Sequence, residues 1–290
     1  MNATTPNAPY TPDQRTLLRD LFAAGCVLVG DEVERRVGLR SPIYINMREN
    51  LYAHPELLWR IGGAFAGKIR ELATGASSGR DSAARVSKRA DGTPTPGESS
   101  SPVPQTVIGI PDTATPLALA TALHAWQHSP TAAMPEITFA LLRKEAKRYP
   151  GHEGSFWIGP HQAKPDPSRA SNGAPTMPAA SESSLVVNLD GGLSSAPREY
   201  NLIDDVVASG LTKRAAAAKL RAEGIPLTRI IVFFDRGQGD GLREEGFDLY
   251  AIFQLKDVVD FYHAEKLITA ADHQRIQQFL ATRRFDVANR

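Results

Sequence analysis

Residues 201–213 constrain the fold of this chain more than any other stretch of the sequence. An apolar segment, predicted to be a strand, ends there in two adjacent carboxylates, Asp204 and Asp205. Small residues follow at 208–210, and an alanine-rich helix is predicted over 214–223. This order places unpaired backbone N–H groups and the positive end of a helix dipole beside two acidic side chains.

The chemistry of this stretch suits a ribose phosphate. Small residues let a phosphate approach backbone N–H groups, whereas carboxylates only accept hydrogen bonds and therefore suit sugar hydroxyls or a metal. The alternative interpretation is a solvated turn that contains two aspartates. The sequence contains neither a Gly-x-x-x-x-Gly-Lys-Ser/Thr loop nor a Gly-x-Gly-x-x-Gly run that opens a first helix, which excludes two other phosphate-binding classes.

Alternation of apolar strands with amphipathic helices predicts an α/β fold with a parallel sheet, in which ligands bind beyond the carboxyl ends of the strands. Besides the central strand, we predict strand-like segments at 27–33, 41–47, 106–110, 137–142, 229–234 and 249–253. We predict further helices at 11–22, 55–72, 116–126, 255–265 and 270–282.

Two stretches are too poor in apolar residues to form a core, and we predict that both are disordered or mobile insertions. They cover residues 74–105 and about 159–184. We therefore divide the chain into an N-terminal region, 1–73, the first insertion, and a main unit, 106–290, that contains the second insertion.

Basic residues follow two of the predicted strands. Residues 143–148 contain four cations, and Arg236 follows Asp235 among glycines. Arg36 lies in a basic turn between the first two strand-like segments. Each cluster suits a solvated surface when taken alone, but cations beside a phosphate site would neutralise a pyrophosphate.

Composition limits the choice of partners. The formal net charge is +1, which gives no general reason to expect nucleic acid or an anionic membrane as a partner. The single cysteine, Cys26, is predicted to be a small buried hydrophobic residue. No apolar run is long enough to cross a membrane and no secretory signal is visible, so we expect a cytoplasmic protein.

Five segments together resemble orotate phosphoribosyltransferases, a family of type I phosphoribosyltransferases. SPIYINMR at 41–48 is similar to the family's SPIYIDLR, and GIP at 109–111 resembles its GVP or GIP turn. RKEAK at 143–147 matches the family's catalytic loop. DDVVASG at 204–210 resembles its motif for phosphoribosyl pyrophosphate (PRPP), and FDRGQG at 234–239 resembles LDREQG.

The resemblance implies a type I phosphoribosyltransferase fold, with helices on both faces of the sheet and a small N-terminal hood. It implies the conversion of orotate and PRPP into orotidine 5′-monophosphate and pyrophosphate in UMP biosynthesis, with Mg²⁺ bound through PRPP and no residue assigned as a direct metal ligand. It also implies a homodimer in which the catalytic loop acts in the neighbouring subunit's site.

Residue roles follow from the same motifs. The resemblance implies that Lys147, Asp204 and Asp205 are catalytic. The implied PRPP-binding residues are Arg36, Arg143, Lys144, Lys147, Asp204, Asp205, Val206, Val207, Ala208, Ser209, Gly210, Leu211 and Thr212. The implied orotate-binding residues are Tyr44, Ile45, Ala208 and Arg236.

Some residues depart from the family pattern. Ala208 replaces a threonine, Leu211 replaces a small or hydroxyl residue, and Asp112 stands where a tyrosine is common. The first two changes remove potential hydrogen bonds to phosphate, each worth about 1.5–3 kcal/mol with a charged acceptor. Two alternatives therefore stay open: a catalytically weak paralogue that binds PRPP or a nucleotide as a regulator, and an enzyme for another base.

Overall fold

The computed structural model describes residues 10–31, 33–34, 41–75, 102–128, 134–145, 157–158 and 198–282. Most of the two predicted insertions lies outside these residues, as do Arg36 and Lys147. The division of the chain into an N-terminal region, an insertion and a main unit stays a prediction.

The described residues of the N-terminal part form helices and a small antiparallel sheet. Its elements are α1 (Pro12–Ala23), β1 (Val27–Val29), β2 (Ile43–Ile45), α2 (Met47–Asn50), a 3-10 turn (Leu51–Ala53) and α3 (Pro55–Ala73). β1 and β2 are shorter than predicted. β1 ends because Gly30 turns the chain at φ +67°, and the predicted strand residue Val33 is helical instead.

Within the described residues, the main sheet has six strands in the order β5-β4-β3-β6-β7-β8. These are β3 (Gln105–Gly109), β4 (Ile137–Leu142), β5 (Trp157–Ile158), β6 (Glu199–Val207), β7 (Arg229–Asp235) and β8 (Asp248–Gln254). All neighbours pair in parallel except β5, which runs antiparallel to β4 at the edge. The predicted α/β fold with a parallel sheet is confirmed.

In the part of the chain that the structure describes, five helices join or follow the strands: α4 (Ala114–Gln127), α5 (Leu211–Ala222), α6 (Asp240–Glu244), α7 (Leu255–Ala264) and α8 (Ala270–Ala281). The short helix α6 was not predicted. The helix predicted at 214–223 begins three residues earlier, and β6 runs on to Val207. Asp204 and Asp205 therefore lie within the strand rather than after it, because Asp204 still pairs with Val232 of β7 and Val206 with Phe234.

Connection geometry places helices on both faces of the sheet. The chain crosses from β3 to β4 in one direction along the sheet, and from β6 to β7 and β8 in the other. Right-handed crossovers in opposite directions place α4 on one face and α5 on the other. Consistent with this cover, six of the seven β7 residues are buried. The sheet consequently has a topological switch point between β3 and β6.

Helix α1 contacts α7 and the residue that follows it. Tyr262 of α7 is fully buried, and its hydroxyl donates to the carbonyl of Leu18 in α1 at 3.0 Å. Arg15 and Arg19 both pair with Glu265, at 3.0 and 2.9 Å. Cys26 is fully buried in the same core, as predicted.

Candidate active site

The candidate site lies at the carboxyl ends of β3 and β6, the position where open parallel sheets bind ligands. The register pairs Gly109 of β3 with Ile203 of β6, and the next backbone N–H, of Ile110, donates to the Ile203 carbonyl at 3.1 Å. The loop that follows β3 therefore begins directly beside Asp204. On the other side, Val207 pairs with Asp235 of β7, so Ala208 and Arg236 leave neighbouring strands side by side.

The two aspartates have different environments. Asp204 is 6% exposed, and its Oδ1 accepts the backbone N–H of Asp205 at 3.0 Å. Asp205 is half-buried, and its Oδ1 accepts the N–H of Val206 at 2.7 Å. Successive side chains of a strand point to opposite faces, so the two carboxylates diverge although they are adjacent in sequence.

Lys213, in the first turn of α5, forms an ion pair with Asp204. This lysine is 3% exposed, and its ammonium group forms an ion pair with Oδ2 of Asp204. The ammonium also donates to the Val206 carbonyl and, at 3.5 Å, to Oγ1 of Thr212. Sequence reasoning assigned no role to Lys213. A signal was present, because a cation in the first turn of a helix opposes the helix dipole unless it is paired.

Asp205 is difficult to ionise in this setting. Burial, and then the neighbouring carboxylate of Asp204, raise the pKa of Asp205 to about 7. The charge of Lys213 and the hydrogen bond from Val206 act in the opposite direction and limit the rise. A carboxyl that titrates near neutral pH at the end of a sheet strand is a feature of functional sites.

The turn from β6 to α5 presents an open helix N-terminus. Gly210 is the N-cap at φ +76°, and no side chain caps the first N–H groups of the twelve-residue helix α5. Within the predicted motif, Val206 and Ser209 have intermediate or greater exposure, Val207 is buried, and Leu211 is 61% exposed at the first helical position. The turn therefore offers backbone donors to an anion, with an apolar side chain at its rim.

Two cations contact the loop that follows β3, and a third contacts the loop that follows β4. Lys144, two residues beyond β4, and Arg48 of α2 both donate to Oδ2 of Asp112, the second at 3.1 Å. The lysine hydrogen bond is the largest cause that lowers the pKa of Asp112. Lys219 of α5 donates to the carbonyl of Lys144 and, at 3.5 Å, to that of Arg143. Sequence reasoning quoted Arg48 within a motif without a role and did not single out Lys219.

The predicted orotate residues lie in three places: in β2, in the β6–α5 turn that contains Ala208, and directly after β7. Arg236 follows β7 directly, lies 5.3 Å from the centre of the Phe279 ring, and borders a cavity of about 780 Å³ that Gln254, Lys256 and Gln277 also line. Burial lowers the pKa of Arg236 to about 10. Tyr44 and Ile45 are half-buried in β2. The Arg48–Asp112 ion pair connects their segment to the candidate site.

The described side chains do not form a metal cage. In the residues that the structure describes, no group of three His, Cys, Asp or Glu side chains could hold a metal ion. Asp204 is already engaged by Lys213.

A parallel sheet with this strand order, together with an acidic pair and a phosphate-suited turn at its switch point, defines the type I phosphoribosyltransferase fold. Sequence comparison confirms the resemblance to orotate phosphoribosyltransferases. The bovine (Bos taurus) uridine 5′-monophosphate synthase is 33% identical over 90 residues, which are 30% of this chain and 19% of that protein. The orotate phosphoribosyltransferase of Chlamydia caviae is 37% identical over 70 residues, 23% of this chain and 34% of that protein.

Among solved structures, UMP synthase of Leishmania donovani matches 93% of this chain and 42% of its own length, with a TM-score of 0.56 and 20% identity. The aligned part of this chain thus spans about a fifth to a third of the curated relatives and less than half of that structure. No family model matches the chain. Among the described helices, none combines the length and the apolar character needed to cross a membrane.

Proposed function

We propose that this chain is an orotate phosphoribosyltransferase, which transfers the phosphoribosyl group of PRPP to orotate and releases pyrophosphate. The observation that carries the proposal is the β6–α5 turn. It joins the Asp204–Asp205 pair to an uncapped helix N-terminus at the switch point of the sheet. The sequence likeness to a bovine uridine 5′-monophosphate synthase and a chlamydial orotate phosphoribosyltransferase supports orotate as the base.

In this proposal the turn binds the ribose 5-phosphate part of PRPP. Backbone N–H groups of residues 208–212 would receive the 5-phosphate, because the helix dipole and the uncapped donors of α5 favour an anion there. The acidic pair would accept hydrogen bonds from the ribose hydroxyls. Ser209 and Thr212 supply the hydroxyl groups that remain in the motif.

Pyrophosphate would be received by the basic residues that follow β4. We assign Arg143, Lys144 and Lys147 to this role, together with Arg36. Mg²⁺ would be bound through the oxygens of PRPP, where it supplies positive charge to the departing pyrophosphate. A homodimer with Lys147 acting in the partner's site, and a cytoplasmic location, are part of the same proposal.

Orotate would lie beyond the ends of β6 and β7. Arg236 is assigned to its carboxylate, and Tyr44, Ile45 and Ala208 to the faces and edge of the base. The register that places Ala208 beside Arg236 supports a common site for these two residues.

The mechanism requires charge stabilisation rather than a protein nucleophile. As pyrophosphate leaves, the anomeric carbon of the ribose becomes cationic in character and the leaving group gains negative charge. Fixed cations of the β4 loop would stabilise that negative charge, and an ionised Asp205 would hold the ribose in position.

A catalytically weak protein that binds PRPP is the second candidate, and a specific contact favours it. Asp112 forms ion pairs with both Lys144 and Arg48, so it competes with pyrophosphate for cations. The exposed Leu211 also takes the place of a potential hydroxyl donor. A phosphoribosyltransferase for another base is a third candidate.

One set of measurements separates these candidates. The protein is incubated with PRPP, Mg²⁺ and orotate, loss of orotate absorbance is followed, and PRPP binding is measured by calorimetry. Asp205→Asn is the site variant, and Lys68→Ala on α3 is the surface control. We expect wild type and the control to consume orotate and the site variant to be impaired. PRPP binding without orotate consumption would contradict the first candidate and support the second, whereas turnover with another base alone would support the third.

A further inference from the structure

Lys213 is a buried cation at a position that ordinarily disfavours one. It lies in the first turn of α5, is 3% exposed, and stands beside the positive end of the helix dipole. A buried ammonium group is stable only when its charge and its three donors are satisfied. Asp204, the Val206 carbonyl and Thr212 provide those three acceptors.

The same contacts occupy Asp204. Oδ2 of Asp204 accepts a hydrogen bond from the Lys213 ammonium group, and Oδ1 accepts the backbone N–H of Asp205. Asp205 is the more accessible of the two, and its Oδ1 accepts a backbone N–H rather than a cation. Lys213 thereby makes two adjacent carboxylates unequal.

We propose that Lys213 is a positioning residue, which commits Asp204 to the interior of the turn and leaves Asp205 as the carboxylate that meets the ribose of the ligand. This inference rests on the proposed PRPP site and divides its acidic pair into a structural member and a ligand-binding member. Lys213 also connects β6 to the first turn of α5, so the same contact shapes the turn that receives the phosphate.

The arrangement predicts the direction in which each substitution changes the ionisation of Asp205. The charged groups that act on Asp205 are Asp204 on its own strand and Lys213 on α5, with the Val206 N–H as the hydrogen-bond donor. Removing the lysine leaves two neighbouring carboxylates without a cation, which disfavours ionised Asp205. Removing the Asp204 charge instead leaves Asp205 beside an uncompensated cation, which favours its ionised form.

The test uses Lys213→Met, Asp204→Asn and the double variant, with Lys213→Arg as the variant that keeps the charge. NMR follows the titration of the Asp205 carboxyl in each protein without ligand, and calorimetry follows PRPP affinity between pH 5.5 and 8.5. PRPP's own phosphates titrate near the same pH, but they do so equally for every variant and cancel in the comparison.

We expect Lys213→Met to move the Asp205 midpoint to higher pH by about one unit or more, and PRPP affinity at pH 7 to fall by about tenfold. We expect Asp204→Asn to move the midpoint to lower pH, and the double variant to lie between the two. Lys213→Arg should stay close to wild type in its midpoint. Affinity and the midpoint should move together.

Two results would overturn the proposal. In the first, Lys213→Met lowers the melting temperature while the midpoint and the pH profile of PRPP binding stay unchanged. In the second, both single variants move the midpoint in the same direction. If Lys213→Met does not fold, Asp204→Asn and the double variant still show in which direction the Asp205 midpoint moves. The ligand-free titration is independent of turnover, so a protein that consumes no orotate but shows these shifts would contradict only the proposed enzyme activity.

Discussion

Lys144 and Asp112 form an ion pair between the loops that follow β4 and β3. Arg48 of α2 pairs with the same carboxylate at 3.1 Å, so a single acidic residue connects three separate elements at the rim of the candidate site. All three side chains are substantially exposed. Exposed ion pairs contribute little to folding stability. We therefore expect this cluster to affect the binding of a charged ligand more than it affects stability.

Replacing Asp112 by asparagine is expected to raise kcat/KM for PRPP a few-fold. The change releases Lys144 and Arg48 for pyrophosphate and removes a negative charge from the loop. Steady-state kinetics at low and high salt measure the change in kcat/KM. The increase should be smaller in high salt, because the charged side chains of this cluster are exposed and salt screens them. The melting temperature should not change. Unchanged or reduced kcat/KM at low salt would contradict the idea that Asp112 competes with pyrophosphate for these cations.

Replacing Lys147 by alanine is expected to lower turnover far more than PRPP affinity. If this lysine stabilises the departing pyrophosphate, its contribution grows in the transition state, and kcat should fall by about 100-fold or more. Single-turnover kinetics and calorimetry separate the two quantities. Lys68→Ala, which removes an α3 lysine paired with Glu71 at 2.9 Å, is the control. Equal losses of turnover and affinity would show that Lys147 only binds substrate.

Asp205 makes stability depend on pH with a defined sign. Its pKa of about 7 lies above the value of about 3.9 in an unfolded chain, so the folded protein binds the extra proton between those pH values. The free energy of unfolding must therefore fall as pH rises from about 4 to 7. The Asp205→Asn variant lacks this pH-dependent loss of stability. The difference in unfolding free energy, variant minus wild type, should therefore be about 1–3 kcal/mol larger at pH 8 than at pH 4.

Urea denaturation at both pH values measures this difference. Glu71→Gln, the same kind of acid-to-amide change on α3, serves as the control. An Asp205→Asn difference that is the same at pH 4 and pH 8 would mean that Asp205 ionises normally in the folded protein.

A pair of glycine substitutions tests the turn that receives the phosphate. Gly210 has φ +76°, and a Cβ there would lie 3.0 Å from Cγ of Leu242. Gly210→Ala should therefore cost about 1–2 kcal/mol of stability and weaken PRPP binding. A Cβ at Gly67 of α3 would meet no atom within 4 Å beyond its own helix backbone, so Gly67→Ala should stabilise by roughly 0.5–1 kcal/mol. Thermal denaturation and calorimetry compare them, and equal PRPP affinity in both variants would exclude a role for the Gly210 conformation.

Local patterns predicted the regular elements closely where periodicity was strong. β4 has the predicted bounds, and the long helix α3 differs from its prediction by one residue at its end. The short helix α6 was missed because its five residues follow a glycine-rich run and carry too little periodicity. β1 was predicted too long, because the turn at Gly30 is a property of the backbone that apolar composition does not reveal.

The sequence by itself determined the α/β class, the residue types at the strand ends and the likeness to orotate phosphoribosyltransferases, because each of these is carried by neighbouring residues. Tertiary structure alone decided which residues meet. The strand order creates the switch point between β3 and β6, and continued strand pairing keeps Asp204 and Asp205 inside β6. The ion pair between Lys213 and Asp204 likewise forms only once α5 packs against the end of β6, where the low exposure of both groups gives their pairing its strength.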